Sequence, residues 1–137
     1  MPIIEQEEQP MKGTQKFFKC DHCGNIVGLI EMKGAPLVCC NEHMKELIPN
    51  TTEASTEKHL PEISVNGDTL TVQIGCTAHP MEPEHHILFV YVESIHGGQR
   101  KALQLGSEPK MSFGFCDDEP LAVYAYCNLH GLWKTEV

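Results

Sequence analysis

The sequence predicts a mainly β protein in two parts, a small metal-binding module followed by an immunoglobulin-like β-sandwich. Three observations carry that expectation. Cys20, Cys23, Cys39 and Cys40 form the pattern Cys-x2-Cys-x15-Cys-Cys, which brings four soft donors within reach of one ion. A polar stretch over residues 41–56, with Pro49, Asn50, Thr51 and Thr52 near its centre, reads as a linker. Beyond it, short segments rich in β-branched and aromatic residues recur between turn signals, and about six or seven such strands suit a sandwich.

The 137 residues have room for a module of about 40 residues and a domain of about 90. A segment of about 40 residues buries too little apolar surface to fold alone, so a bound metal has to supply its stability. The expected division is residues 1–46 and 47–137, with residues 1–15 as a loose polar leader. Ten basic against nineteen acidic side chains give a net charge of -9, which argues against nucleic acid or an anionic membrane as partner. Glu5, Glu7 and Glu8 stand where a signal peptide carries positive charge, and no apolar run is long enough to cross a bilayer. Seven cysteines without an export signal imply a reducing compartment. The expectation is a cytoplasmic protein whose thiols serve metals or redox chemistry.

Taken in order, residues 17–20 and 26–31 read as short strands around the Cys20–Cys23 knuckle, and Gly34 to Pro36 turns the chain back toward Cys39. The vicinal pair Cys39-Cys40 must bend the backbone for both sulfurs to converge, and a distorted thiolate site suggests iron more than structural zinc. In the second part, residues 62–65 and 69–74 flank an Asn66-Gly67 turn, a strong hairpin signal. Residues 87–95 form a long strand. Gly97-Gly98 turns into a strand at 100–105, followed by strands at 110–115 and 121–126 on either side of a turn at 117–120.

A second set of donor-type residues lies in Glu57-Lys58-His59, in His79-Pro80-Met81-x3-His85 and in Cys127-Asn128-Leu129-His130. Each falls where a strand meets a loop, and the loops of a sandwich cluster at its ends. Cys127 and His130 can chelate one ion through a single turn, while a proline-fixed loop separates His79 from His85. A single histidine is as readily an exposed or hydrogen-bonded residue, and Glu57-Lys58 as readily a solvated charge pair. Spacing alone leaves both readings open.

Over residues 17–134 the motifs Cys20-Asp21-His22-Cys23-Gly24-Asn25-Ile26-Val27, Cys39-Cys40, Glu57-Lys58-His59-Leu60-Pro61, His79-Pro80-Met81-Glu82 through His85, and Cys127-Asn128-Leu129-His130-Gly131-Leu132-Trp133-Lys134 resemble, in order, the desulfoferrodoxin family of two-iron superoxide reductases. The resemblance implies a desulforedoxin-like module at 1–46 that holds iron through Cys20, Cys23, Cys39 and Cys40. It implies a superoxide reductase domain at 47–137 with a catalytic iron bound by His59, His79, His85 and His130 and by Cys127 as axial ligand. It also implies that Lys58 attracts superoxide and helps to position a proton-donating water, and that Glu57 is a carboxylate able to occupy the open position of the ferric iron. A homodimer and a rubredoxin-like electron donor are further expectations of this kind. The leader is longer and more acidic than the family pattern, Asn41 stands where glycine is common, and His86 adjoins His85.

Those residues suit that chemistry. Four imidazoles in a plane and one thiolate leave one axial position open, and the thiolate opposite it donates electron density through the metal. The expected reaction takes superoxide to hydrogen peroxide with one external electron and two protons, and releases no oxygen. Salt screens charges beyond about 8 Å, so a nearby Lys58 outweighs distant acidic groups in steering an anion. The first iron, closed by four thiolates, can transfer electrons or support folding but cannot bind substrate.

Cys76 and Cys116 fall outside both sets and read as small buried hydrophobes, with a redox disulfide between them as the alternative. His22, His43 and His96 read as surface residues, and Met81 and Trp133 as packing near the second site. One rival reading is a non-catalytic electron carrier, cupredoxin-like or rubredoxin-like. Against it, no methionine follows His130 as an axial ligand, and Glu57-Lys58 has no role in a closed site. A third reading makes both sites structural zinc in an interaction protein.

Overall fold

The computed structural model describes residues 13–52, 56–76 and 78–137, with the backbone alone at Glu57. Strand β1 (Lys16–Lys19) pairs antiparallel with β2 (Ile26–Leu29), from Lys16↔Leu29 to Lys19↔Ile26. Strands β3 (Val38–Cys39) and β4 (Glu42–His43) form a separate ribbon, and β5 (Lys45–Glu46) joins the free edge of β1. The expected linker at 41–56 therefore begins too early: residues 42–46 contribute two short strands. Their side chains are all exposed at Glu42, His43, Lys45 and Glu46, so composition read as linker what backbone pairing makes strand. Between β3 and β4 the chain bends through Cys40 (φ 54°) and Asn41 (φ 61°). That left-handed pair is the distortion the vicinal cysteines required, and asparagine is one of the few residues that tolerates it. Among the described residues up to 52, Phe17 and Cys20 are the buried hydrophobic side chains, which is a very small core.

A single helical turn, α1 (Thr56–His59), leads into seven strands: β6 (Pro61–Asn66), β7 (Thr69–Ile74), β8 (Ile87–Ser94), β9 (Gly97–Ala102), β10 (Lys110–Gly114), β11 (Pro120–Cys127) and β12 (Gly131–Glu136). They form two antiparallel sheets, ordered β10-β7-β6 and β12-β11-β8-β9. The core between them takes Leu70, Val72 and Ile74 from β7, Val90 and Val92 from β8, Phe113 from β10, and Val123 and Ala125 from β11. This is the period-two inward set that a strand presents to one face. The immunoglobulin-like sandwich is thus present, with β12 added to the strands expected. Gly131, Lys134 and Glu136 had interrupted the run of β-formers there. No helix among the described residues is long and apolar enough to cross a membrane.

Two turns are displaced from their expected places, the first by one residue and the second by two. Asn66 pairs with Thr69, so the turn residues are Gly67 and Asp68. Gly67 has φ 61° and stands at the first central position, as a type II′ hairpin requires. Likewise Ser94 pairs with Gly97, which puts Ile95 and His96 in the turn and the two glycines in β9. Gly98 is needed there, because a Cβ would run into the Tyr91 hydroxyl.

The outer face of the four-stranded sheet carries β1. Phe17 lies 5.6 Å from Phe89, 5.5 Å from Tyr91 and 5.6 Å from Tyr124, ring centre to ring centre. Burying a phenylalanine in this way contributes about 1.5–3 kcal/mol. Beside it the buried Glu93 carboxylate accepts the Thr14 N–H at 3.0 Å, the Gln15 N–H at 2.8 Å and the Tyr124 hydroxyl at 2.9 Å. Lys134 Nζ donates to the Gly13 carbonyl at 2.8 Å. Residues 13–15 of the expected loose leader are therefore docked, while residues 1–12 lie outside the described residues.

Candidate metal centres

Cys20 and Cys23 stand on the knuckle between β1 and β2. The Cys20 N–H donates to the Asn25 carbonyl and the Gly24 N–H to the Cys20 carbonyl, both at 2.9 Å, which folds the loop back on itself. Cys39 ends β3, and Cys40 opens the left-handed bend. The four sulfurs lie within 4.8 Å of one another, with Cys23 to Cys39 at 3.6 Å and Cys39 to Cys40 at 3.9 Å. The Cys23 backbone N–H holds the Cys20 thiol down at about 6, against the opposing effect of burial. Its neighbouring thiols push Cys40 up to about 12 and Cys39 upward as well. Four sulfurs this close ionise together only around a cation, which is the chemistry of a soft divalent metal. Asn25 Nδ2 also donates to Cys39 Sγ at 3.8 Å, a contact of the kind that tunes a thiolate–metal potential.

The second cluster forms at one end of the sandwich, where β6, β8 and β12 begin and β7 and β11 end. His59 closes α1 directly before β6, and His79 lies in the loop after β7. His85 sits on the loop before β8, in which Glu82 and His85 exchange two backbone hydrogen bonds of 3.0 Å. Cys127 ends β11, and His130 lies on the turn into β12. One donor atom from each of His59, His85, Cys127 and His130 lies within 4.8 Å of the others. His79 stands outside that tightest group, its ring centre 4.6 Å from His85 and 4.7 Å from His59. His59 Nε2 is 3.1 Å from His130 Nδ1, which is 3.9 Å from Cys127 Sγ.

The imidazole nitrogens indicate what the cluster is built to hold. His79 Nδ1 donates to the Pro80 carbonyl at 2.7 Å, so Nε2 carries the lone pair. That Nε2 and the Nε2 of His85 are buried with no hydrogen-bond partner. Two orphaned buried ring nitrogens are costly, about 1–3 kcal/mol each, and a metal ion at their focus removes that cost. Burial holds His79 down at about 4 and lowers His85 too, with the His130 and Lys58 charges adding to the effect at His85. Both rings are thus neutral near pH 7, the form that ligates. Burial pushes the Cys127 thiol up, opposed by the backbone N–H groups of His130 and Leu129, and a cation would be needed to make it a thiolate.

Around the cluster, Trp133 is buried and stacks on His59 at 4.8 Å and 22°, and its Nε1 donates to the His130 carbonyl at 3.2 Å. Met81 is buried in the core. His86 Nδ1 donates to the Glu82 carbonyl at 3.0 Å, and it is His85 that enters the cluster. Lys58 is exposed, whereas the Glu57 side chain lies outside the described residues. His22, His43 and His96 are exposed, with His22 Nε2 2.9 Å from Glu42. Cys76 and Cys116 are exposed rather than buried. Cys76 lies two residues past Ile74 and Cys116 two past Gly114, the partner of Thr69, so the length of β7 separates them and no disulfide joins them within the chain. One contributor went unread in the sequence, Asn25, since an asparagine in a turn looks like a turn former.

Comparison with known proteins decides the family. The desulfoferrodoxin family model matches residues 51–136, and that of the desulfoferrodoxin N-terminal domain matches residues 9–47. The chain belongs to the desulfoferrodoxin family. A desulfoferrodoxin homolog of Archaeoglobus fulgidus is 39% identical over 125 residues, covering 91% of this chain and 99% of the relative. The desulfoferrodoxin of Syntrophotalea carbinolica is 40% identical over 119 residues, covering 87% and 94%. The crystal structure of the superoxide reductase from Treponema pallidum matches with a TM-score of 0.75 at 33% identity, over 89% of this chain and 98% of that one. Within the desulfoferrodoxin family, the two donor sets fit two irons per chain, one among thiols and one among imidazoles and a thiol.

Proposed function

We propose that the protein is a superoxide reductase, which combines superoxide with one external electron and two protons to give hydrogen peroxide. The observation that carries this reading is the cluster of four imidazoles and one thiol, with two buried ring nitrogens left without partners, in a chain of this family. His59, His79, His85 and His130 hold the second iron, with Cys127 as its thiolate. Iron bound there supplies a one-electron couple and an open position for a small anion. His79 is oriented by its bond to Pro80, and Trp133 shields one face of His59 from water. Lys58 would attract the anion and help to position a water that donates protons, and Glu57 would supply a carboxylate to the iron after turnover. In support, Lys58 is exposed one position before the buried His59.

Cys20, Cys23, Cys39 and Cys40 hold an accessory iron with no position for substrate. Residues 1–46 form the iron module and residues 47–137 the reductase domain; β5 ending at Glu46 supports that boundary. A cytoplasmic homodimer fed by a rubredoxin-like donor, acting in electron transport and superoxide detoxification, completes the reading. Metal analysis with visible absorption and electron paramagnetic resonance tests it. Two irons per chain in distinct environments are expected, and Cys127→Ser removes the thiolate absorption of the second iron while sparing that of the first. Copper would restore the carrier reading and a colourless zinc protein the structural one, and a band that survives Cys127→Ser refutes the ligand assignment.

A further inference from the structure

The donors of the second cluster come from separate segments, and His85 rests on a short loop at 82–86, just before β8. Within that loop the only backbone bonds are the reciprocal pair between Glu82 and His85. Cys127 arrives from β11, whose register against β8 slips between Tyr126 and Cys127. A slip of this kind interrupts the ladder that would otherwise hold loop against strand. The half-buried Asn128 bridges the interruption. Its Oδ1 accepts the His86 N–H at 2.9 Å, its Nδ2 donates to the Glu84 carbonyl at 3.1 Å, and its backbone N–H donates to the His86 carbonyl at 3.1 Å. The side chain thus bonds the residue before His85 and the residue after it, from the position next to Cys127.

We propose that Asn128 is a positioning residue for the second iron, locking the His85 imidazole in register with Cys127 and His130. The proposal rests on the reading of that centre as an iron site. Only a carboxamide serves at both ends: the His86 N–H needs an oxygen and the Glu84 carbonyl needs an N–H. Aspartate keeps the first bond and sets a carboxylate oxygen against the Glu84 carbonyl, while alanine loses both. Partners that orient a ligating histidine are worth about 10–100-fold in metal affinity.

The test compares the iron-loaded full chain with Asn128→Ala and Asn128→Asp in competition with a ferrous chelator, followed by the absorption and paramagnetic resonance of the second iron. The first iron serves as internal reference. On the order of 10-fold weaker retention of the second iron is expected in Asn128→Ala, with a displaced absorption band and altered resonance, and no change at the first iron. Asn128→Asp should show the same changes to a smaller degree. Should the alanine variant fail to fold, the aspartate variant decides by the same readouts. A lowered thermal midpoint with wild-type iron retention and spectra would mean a purely structural role and overturn the proposal. A wild-type chain that takes no iron at the second centre overturns the reading of the centre itself, a result distinct from equal retention in wild type and variants.

Discussion

Lys58 stands exposed one position before the buried His59, on a chain whose net charge of -9 repels an anionic substrate at long range. At the ionic strength of a cell that repulsion is screened beyond about 8 Å, so the nearest cation decides the approach. Lys58→Ala is expected to slow the second-order reaction with superoxide about 10-fold or more, to flatten its salt dependence and to leave iron content intact. A rate unchanged across ionic strength would remove the steering role. Most of the donor set was legible because its short motifs, such as Cys127-x-x-His130 and the thiols around Cys23, stand in the order of a known family, whereas spacing alone left the second set open. Asn128 was not, since the residues its side chain bonds lie 42 and 44 positions away. Nor was the exposure of Cys76 and Cys116, because each sits just past a strand end, where burial depends on the neighbouring loops.

Strand β7 was readable from the alternation of Leu70, Val72 and Ile74 with polar residues, and β8 from a long run of β-branched and aromatic residues. Strands β4 and β5 were not, because every side chain on them meets water and backbone pairing leaves no trace in composition. The two displaced turns have the same origin: glycine marks a hairpin but does not say whether it opens the turn, as Gly67 does, or makes room for a cross-strand ring, as Gly98 does for Tyr91. Gly13, just before β1, has both constraints at once, with φ 85° and a would-be Cβ 2.6 Å from the Cβ of Ala122. Gly13→Ala is therefore expected to cost about 1–3 kcal/mol, measured by denaturant unfolding, through loosening of β1 from the outer face of β11. An unchanged unfolding midpoint would show that this approach is not needed.

Across the whole molecule, a segment with almost no core of its own is carried by the sandwich. Phe17 enters an aromatic cluster, and Glu93 gathers Thr14, Gln15 and Tyr124. Burial and then the Glu93 contact push the Tyr124 hydroxyl up, so it remains a donor throughout the working pH range. Glu93→Ala leaves those donors without an acceptor, a loss on the order of 1–3 kcal/mol. Faster hydrogen exchange at residues 14–18 is expected, with the second iron's absorption unchanged; wild-type protection there would contradict the docking role. Since the thiol-bound iron is closed to substrate, the catalytic claim rests on the cluster at the sandwich end. Its most direct test is the yield of hydrogen peroxide per superoxide consumed by the iron-loaded chain with a reductant present, with oxygen followed in parallel. The account predicts one peroxide for every superoxide and no oxygen release, whereas one peroxide for every two superoxides, with oxygen evolved, would contradict it.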